Sequence, residues 1–260
     1  MDSTTHQFYH IHGWDSRDDL DLYYSNKEDM VFANDTLKFP MESLHYHLNS
    51  GQVKGTFMID ISAGSFIHHL LSASNCFQKI IILKLQEKCI MEVTRWLHDR
   101  TGAYDWTHAS GAAAVLEGTR EQLQETEMRL RSSVKQILKC DFEQEDITSP
   151  VQLPLADCII SALILESISK NEDEYMKNLE KILKMLKCGG QLLLFGLVDS
   201  TYKTVKGKRI HRFKCNEEFV KNALGKLGLV IDYYAVKTRS NVSDLTDYRA
   251  VLFIVAHKGE

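Results

Sequence analysis

No apolar stretch in the 260-residue chain is long enough to span a bilayer, and the N-terminus carries no basic segment followed by an apolar one. A membrane anchor and a secretory leader are therefore not expected. The chain also lacks a long basic run, and its formal net charge is −4. Nucleic acid and anionic membrane surfaces need a positive footprint, so neither is expected as a partner. The six cysteines (Cys76, Cys89, Cys140, Cys158, Cys188, Cys215) are scattered, with no C-x-x-C pair. Reduced thiols in a cytosolic protein account for that usage, with Cys140 and Cys158 as small hydrophobes in apolar runs. G-x-G-x-x-G is missing, which argues against a nicotinamide-dinucleotide oxidoreductase. Internal repeats, low-complexity segments and linkers are missing too, so one structural unit is expected.

What is present is an ordinary globular composition, 44% hydrophobic and 25% charged, in a chain long enough for one large α/β domain. The stretch Phe57-Met58-Ile59-Asp60-Ile61-Ser62-Ala63-Gly64-Ser65 organises it. An apolar run ends in a small-residue turn, and a helical pattern, Ile67-His68-His69-Leu70-Leu71, follows. Strand, small-residue turn, helix is the ligand-binding junction of an open parallel sheet, where backbone and helix N-terminus approach a nucleotide-like group. A tight connection with no ligand is the other reading of the same residues.

Residues 1–50 are polar and His-rich and read as an N-terminal helical cap. Asp15 or Ser16 caps a helix with Leu20, Tyr23 and Tyr24 on its apolar edge. Pro40 starts or interrupts a second helix, which Asn49-Ser50-Gly51 ends. Within residues 51–260 the pattern alternates between strand and helix. Predicted strands are Phe57–Ile61, Lys79–Leu83, Ile137–Cys140, Asp157–Ser161 and Leu192–Phe195. One predicted helix follows the first strand to about Ala73, and another presents Ile90, Val93, Trp96 and Leu97 on one face. A charged helix spans Glu121 to Val134, and the next spaces Tyr175, Leu179, Ile182 and Leu186 along one face. Residues 101–118 read as a long connection, and Gly189-Gly190 as a helix end. A last helix, Glu217 to Leu227 behind Asn216, precedes the runs Leu229–Val236 and Ala250–Ala256. With no crossover helix between them, these must pair antiparallel. The expected fold class is α/β, a doubly wound seven-stranded mostly parallel sheet with one reversed strand, plus the cap.

These residues resemble the nicotinamide, phenylethanolamine and indolethylamine (thioether) N-methyltransferases across nearly the whole chain. The matches include Ser16-Arg17-Asp18 with Tyr23-Tyr24, Val53-Lys54-Gly55, Ile59-Asp60-Ile61, Tyr104-Asp105-Trp106 and Leu116-Glu117-Gly118. The runs Val134-Lys135-Gln136-Ile137-Leu138-Lys139-Cys140-Asp141 and Pro154-Leu155-Ala156-Asp157-Cys158 are the most specific. The resemblance implies S-adenosylmethionine as cofactor, a small-molecule amine as acceptor, and a class I methyltransferase-like sheet. It implies that Tyr24 closes over the methionine carboxylate and that Asp60, Ser62 and Gly64 belong to the turn beneath the methionine part. Asp141 would meet the adenine amino group, with Phe142 packing on the ring, and Lys84, Cys89 and Ala162 would complete the cofactor-binding set. Glu166 and Asp199, at the ends of strands four and five, would hold the amine and accept its proton. A cytosolic monomer is expected.

The chain departs from the family pattern where the cofactor would sit. The family turn reads Asp-Ile-Gly-Ser-Gly-Pro-Thr; here it reads Asp60-Ile61-Ser62-Ala63-Gly64-Ser65-Phe66. His68 replaces a tyrosine, and Cys89 an asparagine. At the end of strand two, Lys84 replaces the aspartate that takes both ribose hydroxyls, and an ammonium has no acceptor to offer. Weak cofactor affinity follows, and a catalytically silent binding or regulatory relative is the rival reading. In the phenylethanolamine enzyme's acidic pair, the second member is Ser200 here, and Phe195 replaces an aspartate of the nicotinamide enzyme. His10, His12, His45, His47, His68 and His69 lack partners at metal spacing, so no metal is expected. Lys203, Lys206, Lys208, Arg209 and Arg212 read as a solvated basic loop, with an anion site as the other reading; the resemblance implies that this loop borders the acceptor pocket, where it would bias substrates towards acids.

Overall fold

The computed structural model describes residues 8–25, 32–53, 55–119 and 123–259. The cap comprises α1 (Tyr9–His12), α2 (Ser16–Tyr23), a π-helical turn (Ala33–Lys38) and α3 (Phe39–Asn49). There follow β1 (Phe57–Ser62), α4 (His68–Ala73), β2 (Lys79–Lys84), α5 (Glu87–Leu97), α6 (Thr107–Leu116), α7 (Leu123–Ser133) and β3 (Val134–Lys139). Then come β4 (Ala156–Ala162), α8 (Leu165–Ile168), α9 (Glu172–Leu183) and β5 (Leu186–Val198). The chain closes with β6 (Tyr202–Val205), β7 (Lys208–His211), α10 (Glu217–Lys226), β8 (Leu229–Thr238) and β9 (Ala250–Lys258).

The seven-stranded sheet runs β3-β2-β1-β4-β5-β9-β8, and only β9 is reversed. The helices cover its faces, which is why β1 is buried along its whole length and β2 reads as a continuous apolar run from Ile80 to Leu83. Chain direction diverges between β1 and β4, so a crevice forms outside the C-terminal ends of those strands. Helix starts follow local chemistry. The side chains of Asp15, Asn171 and Asn216 accept from the backbone N–H of Asp18, Glu174 and Phe219, each cap worth about 1 kcal/mol. Among the described residues no helix is long and apolar enough to cross a membrane.

Several boundaries differ from expectation. The connection after α5 contains α6, where Ala109, Ala113 and Ala114 pack inward around Gly111. Its alanines form a helix without the large apolar stripe that marks one in sequence. The charged helix α7 passes at Ser133 directly into β3, so Val134 belongs to the strand, and its expected start at Glu121 lies outside the described residues. Gly189-Gly190 does not end a helix. β5 already begins at Leu186, and the register slips between Ala156–Leu186 and Cys158–Gln191, a bulge built on the two glycines. A Cβ on Gly190 would stand 2.8 Å from Leu186 Cδ1 and 2.9 Å from the Lys187 carbonyl oxygen. Leu186, grouped by spacing with Tyr175, Leu179 and Ile182, is therefore a strand residue. The basic stretch after β5 is the hairpin β6–β7, in which Lys206, Lys208 and Arg209 are exposed as expected, whereas Lys203 is 3% exposed and Arg212, just after it, 5%.

Candidate active site

Beneath the turn after β1 lies a buried charge cluster. Asp60 and Lys84 are both fully buried. Lys84 Nζ donates to Ser62 Oγ at 2.6 Å and to the Ser62 carbonyl at 3.3 Å, and it stands 3.7 Å from Asp60. Ser62 Oγ donates onward to Asp60 at 3.0 Å, and His69 Nε2 meets the other carboxylate oxygen at 2.6 Å. Burial pushes the Asp60 carboxyl up, but His69, Lys84 and these hydrogen bonds outweigh it and hold it below its ordinary value. Lys84 thus turns into the protein and is compensated there.

Above the same turn sits the cap. The Gly64 N–H donates to Tyr9 Oη at 3.0 Å, and Tyr9 stacks on Trp14 with ring centroids 3.9 Å apart. Gly64 has φ +73°, and a Cβ there would lie 2.9 Å from Asp19 Oδ2 and 3.3 Å from Trp14. Glycine is therefore required both for backbone shape and for the close approach. Ser16 Oγ is 2.6 Å from Ser65 Oγ and 3.2 Å from Cys89 Sγ, so Cys89 is an interior contact of the cap. Asp19 pairs with Lys203, whose ammonium lies over the rings of Trp14 and Tyr23. Burial pushes Lys203 down to about 8 against the pull of Asp19.

Towards β3 the crevice is open. A cleft of about 430 Å³ is lined by Gln86, Lys139, Asp141, Phe142, Lys177 and Asn178 among others. The Asp141 carboxylate accepts from the Glu143 N–H at 2.9 Å, and Lys181 fixes the Phe142 carbonyl at 2.6 Å.

On the β4–β5 side the crevice is closed. A void of about 10 Å³ lies among Phe66, His68, Ala162, Phe195 and Leu197. Tyr24 is buried nearby, its ring 5.0 Å from that of Phe66, and burial raises its phenol well above the ordinary value. His68 is held well below its ordinary value, chiefly by burial, and its Nδ1 has no hydrogen-bond partner. Glu166 is 2% exposed and accepts from the Leu197 N–H at 2.9 Å; burial raises its carboxyl, with Arg212 opposing. Leu163 and Asp199, which follow β4 and β5, both adopt positive φ. Such left-handed non-glycine residues concentrate at functional sites.

The family model for the NNMT/PNMT/TEMT family matches residues 3–259. The chain belongs to that family. It is 30% identical to indolethylamine N-methyltransferase of Mus musculus, over 94% of this chain and 92% of that protein. It is 30% identical to nicotinamide N-methyltransferase of Homo sapiens, over 93% and 92%. Phenylethanolamine N-methyltransferase of Macaca mulatta is 32% identical over 79% and 74%. In fold it is similar to magnesium protoporphyrin IX methyltransferase from Synechocystis, with TM-score 0.58, 12% identity, and 96% and 93% of the two chains covered. The N-methyltransferase NodS from Bradyrhizobium japonicum gives TM-score 0.53 and 12% identity over 90% and 94%. The sheet is thus that of the S-adenosylmethionine-dependent methyltransferases.

The residues singled out from sequence do not share one open cleft. Asp141 and Phe142 border the open part. Tyr24, Ala162 and Glu166 lie in the closed part, while Asp60, Ser62 and Lys84 support the turn from inside. Asp199 stands apart, its carboxylate 2.9 Å from Arg249 Nε in an exposed pair. Sequence reasoning missed Tyr9, Trp14 and Asp19, which cover Gly64, and it took Lys203 and Arg212 for surface charges. The one signal available was the two aromatics and the acid flanking the Ser16-Arg17-Asp18 match.

Proposed function

We propose that the chain transfers the methyl group of S-adenosylmethionine to the nitrogen of a small amine. The observation that carries this reading is the pairing of an open cleft holding Asp141 and Phe142 with a buried carboxylate, Glu166, just beyond the end of β4. The names of the relatives, all N-methyltransferases, support it. When bound, S-adenosylmethionine supplies a methyl group made electrophilic by its sulfonium.

The open cleft fits a nucleoside. Asp141 presents an acceptor for the adenine amino group, and Phe142 a ring to pack against it. The other end is filled in this state by the chain's own Tyr9 and Trp14 over Gly64. The methionine part and these side chains exclude one another, so the cap must withdraw for the full cofactor to seat. Tyr24, a protonated phenol at neutral pH, offers a hydrogen-bond donor on the closed side. Glu166 is the proton acceptor: the Leu197 N–H orients it, and burial raises its proton affinity towards that of the amine it must relieve. Asp199, engaged by Arg249, takes no part as a base in this arrangement.

Calorimetric titration with S-adenosylmethionine and S-adenosylhomocysteine tests the reading, and both are expected to bind. Glu166→Gln should lower turnover of an amine by about 100-fold, the middle of the range for a positioned base, with cofactor Kd nearly unchanged. Absence of binding by both ligands overturns the assignment, and equal loss of turnover and affinity in Glu166→Gln makes that residue structural.

A further inference from the structure

Arg212 is 5% exposed, yet among the described residues it has no carboxylate partner. Its Nη1 donates only to two neutral hydroxyls, Ser200 Oγ and Thr246 Oγ1, each at the long distance of 3.4 Å. Its Nε, also buried, has no hydrogen-bond partner at all. A guanidinium always carries its charge, and leaving one buried without a counter-ion is strongly unfavourable. The nearest carboxylate through the hydroxyls is Asp247, which reaches Ser200 Oγ at 3.3 Å. Its oxygens are already taken by the N–H and hydroxyl of Thr201 and the N–H of Tyr202. Of the other buried cations, Lys203 has Asp19 and Lys84 has Asp60, while Lys181 donates to the Phe142 carbonyl at 2.6 Å.

Arg212 stands on the acceptor side of the crevice. The N–H of its neighbour Phe213 donates to the Glu166 carbonyl at 2.7 Å, which ties the end of the hairpin to α8. The Arg212 charge opposes burial at Glu166, and also at the phenols of Tyr23, Tyr24 and Tyr248, so these groups share its surroundings. Position 200, acidic in the resembling phenylethanolamine enzyme, is a serine here, and the cation has been set beside that serine. The acceptor end therefore holds, buried, the Glu166 carboxylate and the Arg212 guanidinium, which has no direct carboxylate partner among the described residues. That is the complement of a molecule with an ammonium at one place and an anion at another.

We propose that the guanidinium of Arg212 seats a carboxylate carried by the acceptor, so that the substrate class is amino acids rather than plain amines. This rests on the methyl-transfer reading for the reaction, but the anion seat is testable without it. Arg–carboxylate contacts are charge-assisted and directional, whereas a plain amine would leave the guanidinium as unpaired as before.

The test uses the full chain and matched pairs of probes: phenylalanine with phenylethylamine, tryptophan with tryptamine, and histidine with histamine. Methyl transfer from labelled S-adenosylmethionine should favour the acid of at least one pair by about tenfold or more in kcat/KM, one charge-assisted contact. Arg212→Met should erase that preference, and Arg212→Lys should keep part of it. Separately, the preferred acid should raise the melting temperature of the wild type without cofactor and leave that of Arg212→Met unchanged. Without ligand, Arg212→Met should melt no lower than wild type, because the unpaired buried charge is gone. Preference for the decarboxylated member of every pair, with no shift by any acid, overturns the seat and leaves methyl transfer standing. An Arg212-dependent shift with no transfer to any probe overturns the reaction and leaves the seat. A large loss of stability in both Arg212 variants, with no shift in wild type, makes Arg212 a structural residue and ends the proposal.

Discussion

At the β3 end of the crevice, Asp141 and Phe142 stand beside about 430 Å³ of open space; at the β1 end, the backbone of Gly64 is covered by Tyr9, Trp14 and Asp19. The open end keeps the residue types that the family resemblance implies. The covered end is where the sequence departs from them. Ser62 and Lys84 are consecutive links in a chain of contacts to Asp60, and Cys89 is a contact of Ser16 and Tyr9. The departures therefore form one coherent interior, not scattered damage. Lys84, at the position where the resemblance implies an acid, has its ammonium turned inward to Asp60. The space above the turn went to the cap.

The largest effect that separates the two ends is expected at Asp60. Asp60→Ala leaves Lys84 buried and uncompensated and should cost about 3–5 kcal/mol in urea unfolding. Lys84→Asp would set a second carboxylate against Asp60 and should destabilise comparably instead of restoring cofactor affinity. The pH dependence follows from the sign of the shift. The folded Asp60 carboxyl lies below its unfolded value, so its stabilisation is full above about pH 4 and is lost as pH falls through the folded value. Asp60→Asn should flatten that acid limb in urea midpoints measured from about pH 7 to pH 3. An unchanged limb would mean that Asp60 does not carry the charge assigned to it.

A smaller effect sharpens the comparison from outside. Trp14→Ala removes the stacked partner of Tyr9, a contact worth about 0.5–1.5 kcal/mol beyond its area. S-adenosylhomocysteine should then bind about tenfold more tightly by calorimetry, while adenosine, which needs only the open end, should change by less than about twofold. Weaker binding of S-adenosylhomocysteine would show that the cap side chains hold the cofactor instead of competing with it. The smallest effect is expected at Asp199, whose pair with Arg249 is solvent-exposed. Asp199→Asn should change stability by less than about 1 kcal/mol and turnover only slightly. A large fall in turnover would return Asp199 to the acceptor site.

Much of the fold was legible because its signals are local. The apolar runs of β1, β2 and β4, the caps at Asp15 and Asn216, and the two final strands without a helix between them fixed the order of elements. The failures share a cause. In α6 the small alanines make a helix by propensity without a large apolar stripe, and in β5 a bulge let Gly189-Gly190 look like a helix terminus. The hairpin β6–β7 was hidden because its lysines and arginines look solvated in one dimension.

The sequence by itself determined the class of sheet, the family and the position of the crevice, since hydrophobic period, caps and motif spacing are written in neighbouring residues. Only the tertiary structure decided where the long polar side chains turn. Lys84 finds Asp60 on the neighbouring strand, Lys203 finds Asp19 in the cap, and Arg212, among the described residues, meets two hydroxyls and no carboxylate directly. A flexible charged side chain can lie in water or in the interior at any position that borders both. Which it does depends on whether a partner from elsewhere in the chain offsets the loss of solvent, and that partner exists only once the fold has brought it there.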